Sequence, residues 1–277
     1  SVGYGAAVLL FTVVFSLVSP ELAWRLLFFF GLIPAVFTLW IRRNVEEPDV
    51  FRKMRASASA GDTFQFLEIF RPPLLRRTVL ASTLAMGGLG GNYTILTWLA
   101  TYLVTVRELS VLGTGGYLAV NIFGSFLGYV CIAHVSDWLG RRKTFVITAL
   151  CAAATVAIYT LAPLNDMAVL LLGFPLGFFQ SGIIAGMGAT FAELFPTRVR
   201  ATGQGFSYNT GRAVGSIVPA VVGILSGRIG LGPAIGICAV SAYTLVLVAT
   251  SMLPETRGSE LETDDVPAEK SAEESHA

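Results

Sequence analysis

The chain has 277 residues, of which 54% are hydrophobic and only 13% charged, with a formal net charge of +1. A soluble domain is nearer a quarter charged, so a water-facing surface is excluded, and the near-neutral balance excludes nucleic acid as a partner. The apolar residues gather in blocks of roughly twenty, the length that crosses about 30 Å of hydrocarbon at 1.5 Å per residue. The expected fold is therefore all-α, a polytopic membrane bundle, because a lipid-exposed segment must satisfy its own backbone amides.

Eight blocks follow in chain order: Val2–Val18, Ala23–Ile41, Val79–Val106, Val111–Val135, Phe145–Leu161, Met167–Phe191, Gly203–Leu225 and Leu231–Leu253. None shows the strict alternation of a strand. The first lacks a basic leading region and a small-residue cleavage site, so it does not read as a signal peptide. Positive charge collects after the second block (Arg42, Arg43, Arg52, Lys53, Arg55, Arg71, Arg76, Arg77), after the fourth (Arg141, Arg142, Lys143) and after the sixth (Arg198, Arg200), with Arg257 and Lys270 in the tail. The other connections hold only Arg25, Arg107 and Arg228. By the positive-inside rule the even-numbered connections and both ends of the chain are cytoplasmic.

The longest polar connection, Arg42 to Arg77, separates two blocks from six and carries Phe64–Phe70, a short amphipathic stretch suited to a membrane surface. The acidic tail from Glu260 is poor in large apolar residues and reads as disordered. Cys131, Cys151 and Cys238 lie inside apolar blocks without metal or redox spacing, and His134 and His276 are far apart, so no cofactor or metal is expected. Five Gly-x-x-x-Gly pairs, at Gly124/Gly128, Gly173/Gly177, Gly182/Gly186, Gly211/Gly215 and Gly223/Gly227, point to close helix packing. Pro175 and Pro219 fall within blocks and are candidate kinks.

Three stretches carry a resemblance. Asp137-Trp-Leu-Gly140-Arg141-Arg142-Lys143 is similar to the short signature repeated in each half of the major facilitator superfamily. Glu193-Leu-Phe-Pro-Thr-Arg198-Val-Arg200 and Pro254-Glu255-Thr256-Arg257-Gly258 resemble marks of its sugar-porter and metabolite–proton symporter branches. The chain thus resembles a partial major facilitator fold with about eight transmembrane helices, numbers five to twelve of the family's twelve. That implies residues 1–41 as the last two helices of an N-terminal six-helix bundle, 42–77 as the central cytoplasmic loop, 78–253 as the C-terminal bundle and 254–277 as a cytoplasmic tail. The first four helices would then be missing from the chain, and the full-length protein is expected to be a monomer in the cell membrane.

The match has departures. Ala133 stands where the first signature usually has glycine, and Trp138 where a basic residue is common. After the sixth helix, Val45-Glu46-Glu47-Pro48-Asp49 does not keep the sugar-porter pattern, and the seventh lacks the paired glutamines of those porters. Gly87–Gly91 with Asn92, Tyr93, Thr94, Thr97, Trp98 and Tyr102, together with Ser207-Tyr208-Asn209-Thr-Gly211-Arg212, looks more like carriers of organic acids.

Arg212 lies about 18 Å along a helix from Arg200, near mid-membrane, where an arginine costs some 2.5 kcal/mol or more and faces a cavity or a partner. Its planar fork matches a carboxylate, and a structural ion pair is the competing reading. Asn209 and Tyr208 share its face. Gln180, Asn121, Asn92, Tyr93 and Thr97 are further candidates for the substrate site, with interhelical hydrogen bonding as the alternative. Trp98 and Tyr102 face either the pathway or the interfacial aromatic belt, and Gly87–Gly91 marks a flexible or broken point. Asp137, Gly140, Arg141, Arg142, Lys143, Glu193, Arg198 and Arg200 read as rim residues whose ion pairs gate the conformational change.

No Asp or Glu lies at the centre of any block, so a proton-coupling carboxylate belongs to the missing helices. The function expected is secondary active transport of a small organic anion, with the proton as coupling ion and the lipid bilayer as surroundings. Sugar or polyol transport is the alternative within the class. A non-transporting receptor is an alternative outside it, and an intramembrane enzyme lacks any catalytic cluster in the sequence.

Overall fold

In the computed structural model, residues 2–44 and 65–257 are described. They belong to two compact units, Ser1–Phe64 and Gln65–Ala277. Every regular element among the described residues is helical.

The first unit holds α1 (Val2–Leu17), α2 (Pro20–Phe30) and α3 (Ile33–Asn44). Pro20 opens α2, a position where its missing N–H costs no bond. The second apolar block is nearly continuous: Gly31 keeps helical angles and donates to the Leu27 carbonyl, and Leu32 donates to that of Phe29. Glu21–Asn44 is accordingly long and apolar enough to cross a membrane. No residue of α3 is buried, and Phe37 stacks on Trp40 with ring centroids 5.6 Å apart. Such apolar exposure would be costly in water and is ordinary against lipid.

The second unit runs α4 (Gln65–Glu68), α5 (Leu74–Thr105), α6 (Val111–Leu139), α7 (Arg141–Leu161), α8 (Asp166–Leu194), α9 (Arg200–Gly215), α10 (Val218–Ile229) and α11 (Leu231–Met252). Side-chain caps start two of these helices: Ser110 Oγ accepts from the Gly113 N–H at 3.0 Å, and Asn165 Oδ1 from the Ala168 N–H at 2.8 Å. Six segments of the described chain pass for membrane spans on length and hydropathy. Of the expected eight, α1 has only 16 residues, and α5 is diluted by Gly87, Gly88, Gly90, Gly91 and Asn92.

The seventh block is not one helix. It divides at Ser216–Ile217 into α9 and α10, and Pro219 sits in the first turn of α10, so this proline marks a break. Pro175 differs, because α8 continues through it.

Helix α5 is the hub of the unit, packed against α8, α9, α10 and α11. The run Gly87–Gly91, expected to be a flexible or broken point, is instead continuous helix. Each glycine makes room for a different neighbour: Gly87 for the backbone at Ala242, Gly88 for Met187 and Ile183, Gly90 for Val218 and Gly215, and Gly91 for the Tyr243 ring. Four glycines along one helix let four others, α8, α9, α10 and α11, approach its backbone.

The same logic joins α6 to α8. Gly124 and Gly128 lie against the carbonyls of Phe174 and Phe178, and Gly177 against that of Asn121. The pair Gly223/Gly227 departs from the expectation of paired close packing, since Gly223 stands against the edge of the Trp98 ring, 3.3 Å from where a Cβ would be, but nothing approaches Gly227.

The amphipathic stretch is not confined to a membrane surface. Ile69 is fully buried and its carbonyl accepts from Thr78 Oγ1 at 2.9 Å, while Phe70 meets Phe206 edge to face. Phe64, Val45–Asp49, most of the long connection and the tail beyond Arg257 lie outside the described residues.

Candidate functional site

Helix α9 has two distinct faces. Ser207, Gly211 and Gly215 are buried, and the two glycines meet the α5 backbone around Ala85–Met86 and Gly90. Asn209, Arg212, Ala213 and Ser216, spaced three or four apart, fall on the opposite side. With Tyr93 and Thr97 of α5 and Pro219 of α10 they line a cavity of about 640 Å³.

Arg212 is exposed in this cavity, and its guanidinium has no hydrogen bond or ion pair among the described residues. Asn209 Nδ2 donates back to the Gly205 carbonyl at 2.8 Å, which leaves its Oδ1 as an acceptor facing outward. The lining is thus a cation with five N–H donors, an amide and the three hydroxyls of Tyr93, Thr97 and Ser216, a set suited to an anion carrying further polar groups.

The other expected ligands are placed elsewhere. Asn121 is buried and its Nδ2 donates to the Gly173 carbonyl at 3.2 Å, so it fastens α6 to α8. Asn92 is buried and does not line the cavity, and Tyr208 is half-buried against the apolar core. Gln180 is 1% exposed, and neither its Oε1 nor its Nε2 has a partner among the described residues. Next to it, Ser181 lies close to the hydroxyl of Tyr129. Tyr129 was missed in the sequence, where a tyrosine between Gly128 and Val130 in an apolar block carries no motif.

Two aromatic residues also differ from both expected roles. Trp98 Nε1 donates to the Pro219 carbonyl at 2.9 Å, bridging α5 to the break before α10. Tyr102 is buried and its hydroxyl donates to the Tyr159 carbonyl at 3.2 Å. Burial removes Tyr102 from an interfacial belt and from a pathway alike.

At one end of the unit a polar network joins three helices. Arg141 makes a forked contact to Glu193, with Nη2–Oε1 at 2.8 Å and Nε–Oε2 at 3.2 Å, and pairs with Asp137 one turn earlier. Thr256 Oγ1 donates to the far oxygen of Glu193 at 2.6 Å. Glu255 accepts from the Arg141 and Arg142 N–H groups at 2.9 and 3.2 Å, capping α7 with a carboxylate where the helix dipole favours one. Gly140 has φ +101°, and an added Cβ would stand 3.0 Å from Glu255, so only glycine fits this corner.

The sequence suggests Asp137 with the run Arg141, Arg142 and Lys143, and Glu193 with Arg198 and Arg200; the Asp137–Arg141 pair is formed and the Glu193 pairs are not. Glu193 binds Arg141, whereas Arg198 pairs with Glu68, and Arg200 Nε donates to the carbonyls of Ala192 and Phe195. Arg142 reaches the Ser251 carbonyl at 2.7 Å, and Lys143 is exposed. The geometric reason is that α9 turns away immediately after the Thr197–Val199 turn, taking Arg200 back over the end of α8.

The chain matches the Major Facilitator Superfamily over residues 1–219 and 118–274. It belongs to that superfamily. It is 36% identical over 262 residues to a probable 4-methylmuconolactone transporter of Cupriavidus pinatubonensis, covering 95% of this chain and 60% of that protein. It is 30% identical to a putative metabolite transport protein of Haemophilus influenzae, covering 95% of this chain and 66% of the relative. It is also 30% identical to a cis,cis-muconate transport protein of Acinetobacter baylyi, covering 77% and 53%. The chain therefore spans just over half to two thirds of these relatives' length. Family and relatives alike are transporters and not enzymes, and this major facilitator chain is a multi-span membrane protein.

Proposed function

We propose that this chain is part of a secondary active transporter for a small organic anion, working by alternating access with proton symport. The observation that carries the reading is the Arg212 guanidinium, unpaired among the described residues, in a cavity shared with Asn209, Tyr93 and Thr97. A cation held in a low-dielectric bundle without a carboxylate invites an anionic ligand, and the arginine fork selects carboxylates. Two relatives are named for 4-methylmuconolactone and cis,cis-muconate, and muconate is a dicarboxylate.

In this reading α1 with α2–α3 are the fifth and sixth helices of the family's twelve. Residues 42–77 form the central loop, 78–253 the second bundle and 254–277 the tail, and both chain ends lie in the cytoplasm of a cell-membrane monomer. The Arg141–Glu193–Thr256 network is a gate that closes in one conformation and parts in the other. Gln180, whose amide atoms have no partner among the described residues, is a further candidate ligand in this reading, whereas Asn121 serves to fasten α6 to α8. The acids of α5–α11 sit at helix ends, at Asp137, Asp166 and Glu193, so in this reading the proton carrier belongs to the remaining part of the full-length protein.

The test is uptake by full-length protein in proteoliposomes with an imposed proton gradient, using radiolabelled carboxylates and sugars. Carboxylate uptake that collapses in Arg212→Gln supports the reading. Sugar uptake indifferent to that substitution makes Arg212 structural and refutes it.

A further inference from the structure

A second cavity, of about 650 Å³, opens at the end of the bundle that carries the Arg141 network. Arg76 and Arg77 at the start of α5, Arg142 at the start of α7, and Met252 and Pro254 at the end of α11 line it. Each arginine is aimed by a backbone carbonyl: Arg76 by Met252 at 3.4 Å, Arg77 by Leu194 at 2.9 Å and Arg142 by Ser251 at 2.7 Å. A guanidinium has five N–H donors, so one such bond leaves most of them open.

The charges are not neutralised locally. The carbonyls belong to the ends of α8 and α11, and each helix end carries only about half a negative charge. None of the three arginines pairs with a carboxylate among the described residues, and Glu255 uses its oxygens on the α7 amides and does not line the cavity. Apolar surface is exposed on the two packed helices near this end: Leu75 and Val79 one turn apart on α5, and Val248 and Met252 one turn apart on α11, with Met252 itself lining the cavity. A soluble anion would use the arginines alone, whereas a lipid uses both features. The charge-derived orientation puts this end at the cytoplasmic leaflet, where acidic lipids supply such headgroups.

We infer that this cavity seats the headgroup phosphate of an acidic phospholipid, with its acyl chains lying along the apolar surface exposed at Leu75, Val79, Val248 and Met252. The lipid ties the ends of α5, α7 and α11 together without touching the Arg212 cavity.

The test is electron paramagnetic resonance of spin-labelled phosphatidylglycerol and phosphatidylcholine on the reconstituted full-length protein. Phosphatidylglycerol is expected to be favoured about fivefold or more, the factor one basic side chain adds at an anionic surface. Arg76→Gln with Arg142→Gln should bring the ratio near one. Arg76→Lys with Arg142→Lys keeps the charge and should keep most of the preference, which separates a lost site from a damaged fold. Absence of preference in the wild type, or a preference unchanged in the glutamine variant, overturns the inference. So does full displacement by inorganic phosphate, which would make the ligand a free anion, or a preference that appears only after residues 258–277 are removed, which would make the acidic tail the occupant.

Discussion

An alanine at Gly87 would put one methyl group between α5 and α11. Its Cβ would stand 2.5 Å from the Ala242 carbonyl oxygen, 2.9 Å from Val246 Cγ2 and 3.0 Å from the Val246 nitrogen, where ordinary contact is 3.4–4 Å. Two of those three atoms are backbone, so no rotamer change makes room, and the helices must part by roughly 1 Å in an interior packed like a crystal. Overpacking of this kind costs about 1–3 kcal/mol. The gain in helix propensity from glycine to alanine returns up to about 1 kcal/mol. A 2.5 Å clash with backbone puts the cost at the upper end of that range, so the net loss is about 2 kcal/mol and lowers the melting temperature by about 4–8 °C for a unit of this size. Gly116 in α6 is the contrasting site, with nothing within 4 Å of an added Cβ. There the propensity gain stands alone, and alanine should hold or slightly raise the melting temperature. Both variants are compared with wild type in nanodiscs by intrinsic tryptophan fluorescence. Gly87→Ala melting at or above wild type, or Gly116→Ala falling as far, would refute close packing as the reason for the α5 glycines.

Four further outcomes follow from the side-chain contacts. Binding of a transported carboxylate, measured by calorimetry, should weaken about 10–100-fold in Arg212→Gln, the loss of one or two charge-assisted hydrogen bonds, with Arg212→Lys intermediate. Glu193→Gln leaves the largely buried Arg141 guanidinium without its forked partner and should cost about 3 kcal/mol, read as a lower melting temperature and faster proteolysis at the Arg141 end. Trp98→Phe removes the bond to the Pro219 carbonyl and should cost about 1 kcal/mol, with a melting shift of a few degrees. Gln180→Leu removes two buried, unpartnered polar atoms and should raise the melting temperature while lowering uptake; a variant that is destabilised refutes the view that this amide is unsatisfied at rest.

The helices were legible because lipid imposes one rule on every block: length near the membrane thickness, with backbone bonds kept inside the segment. The break in the seventh block was half-legible. Pro219 announced it, but the apolar run Ala213–Leu225 reads through it, and only the structure shows Trp98 reaching from α5 to take up the Pro219 carbonyl. The glycine run Gly87–Gly91 misled because glycine has two uses, backbone freedom and absence of a side chain, and a sequence does not say which is needed. Here every φ in the run is helical and the absent Cβ is what matters.

The site was legible on α9 and much less so elsewhere, and the reason is one of periodicity. Asn209 and Arg212 stand out because one helix carries both on one face, with small residues on the other. Tyr93 and Thr97 join them from a helix more than a hundred residues away, where only their four-residue spacing hints at a shared face. Asn121 and Gln180 have the same character in sequence, a lone amide in an apolar block. Their fates diverge because α6 and α8 approach so closely at Gly177 that Asn121 finds the Gly173 carbonyl, whereas Gln180, one turn nearer the Arg141 end, finds none. An amide that completes its bonds inside the bundle holds helices together, whereas one left unpartnered among the described residues, as Gln180 is, costs about 1–3 kcal/mol, and the Gln180→Leu variant measures that cost.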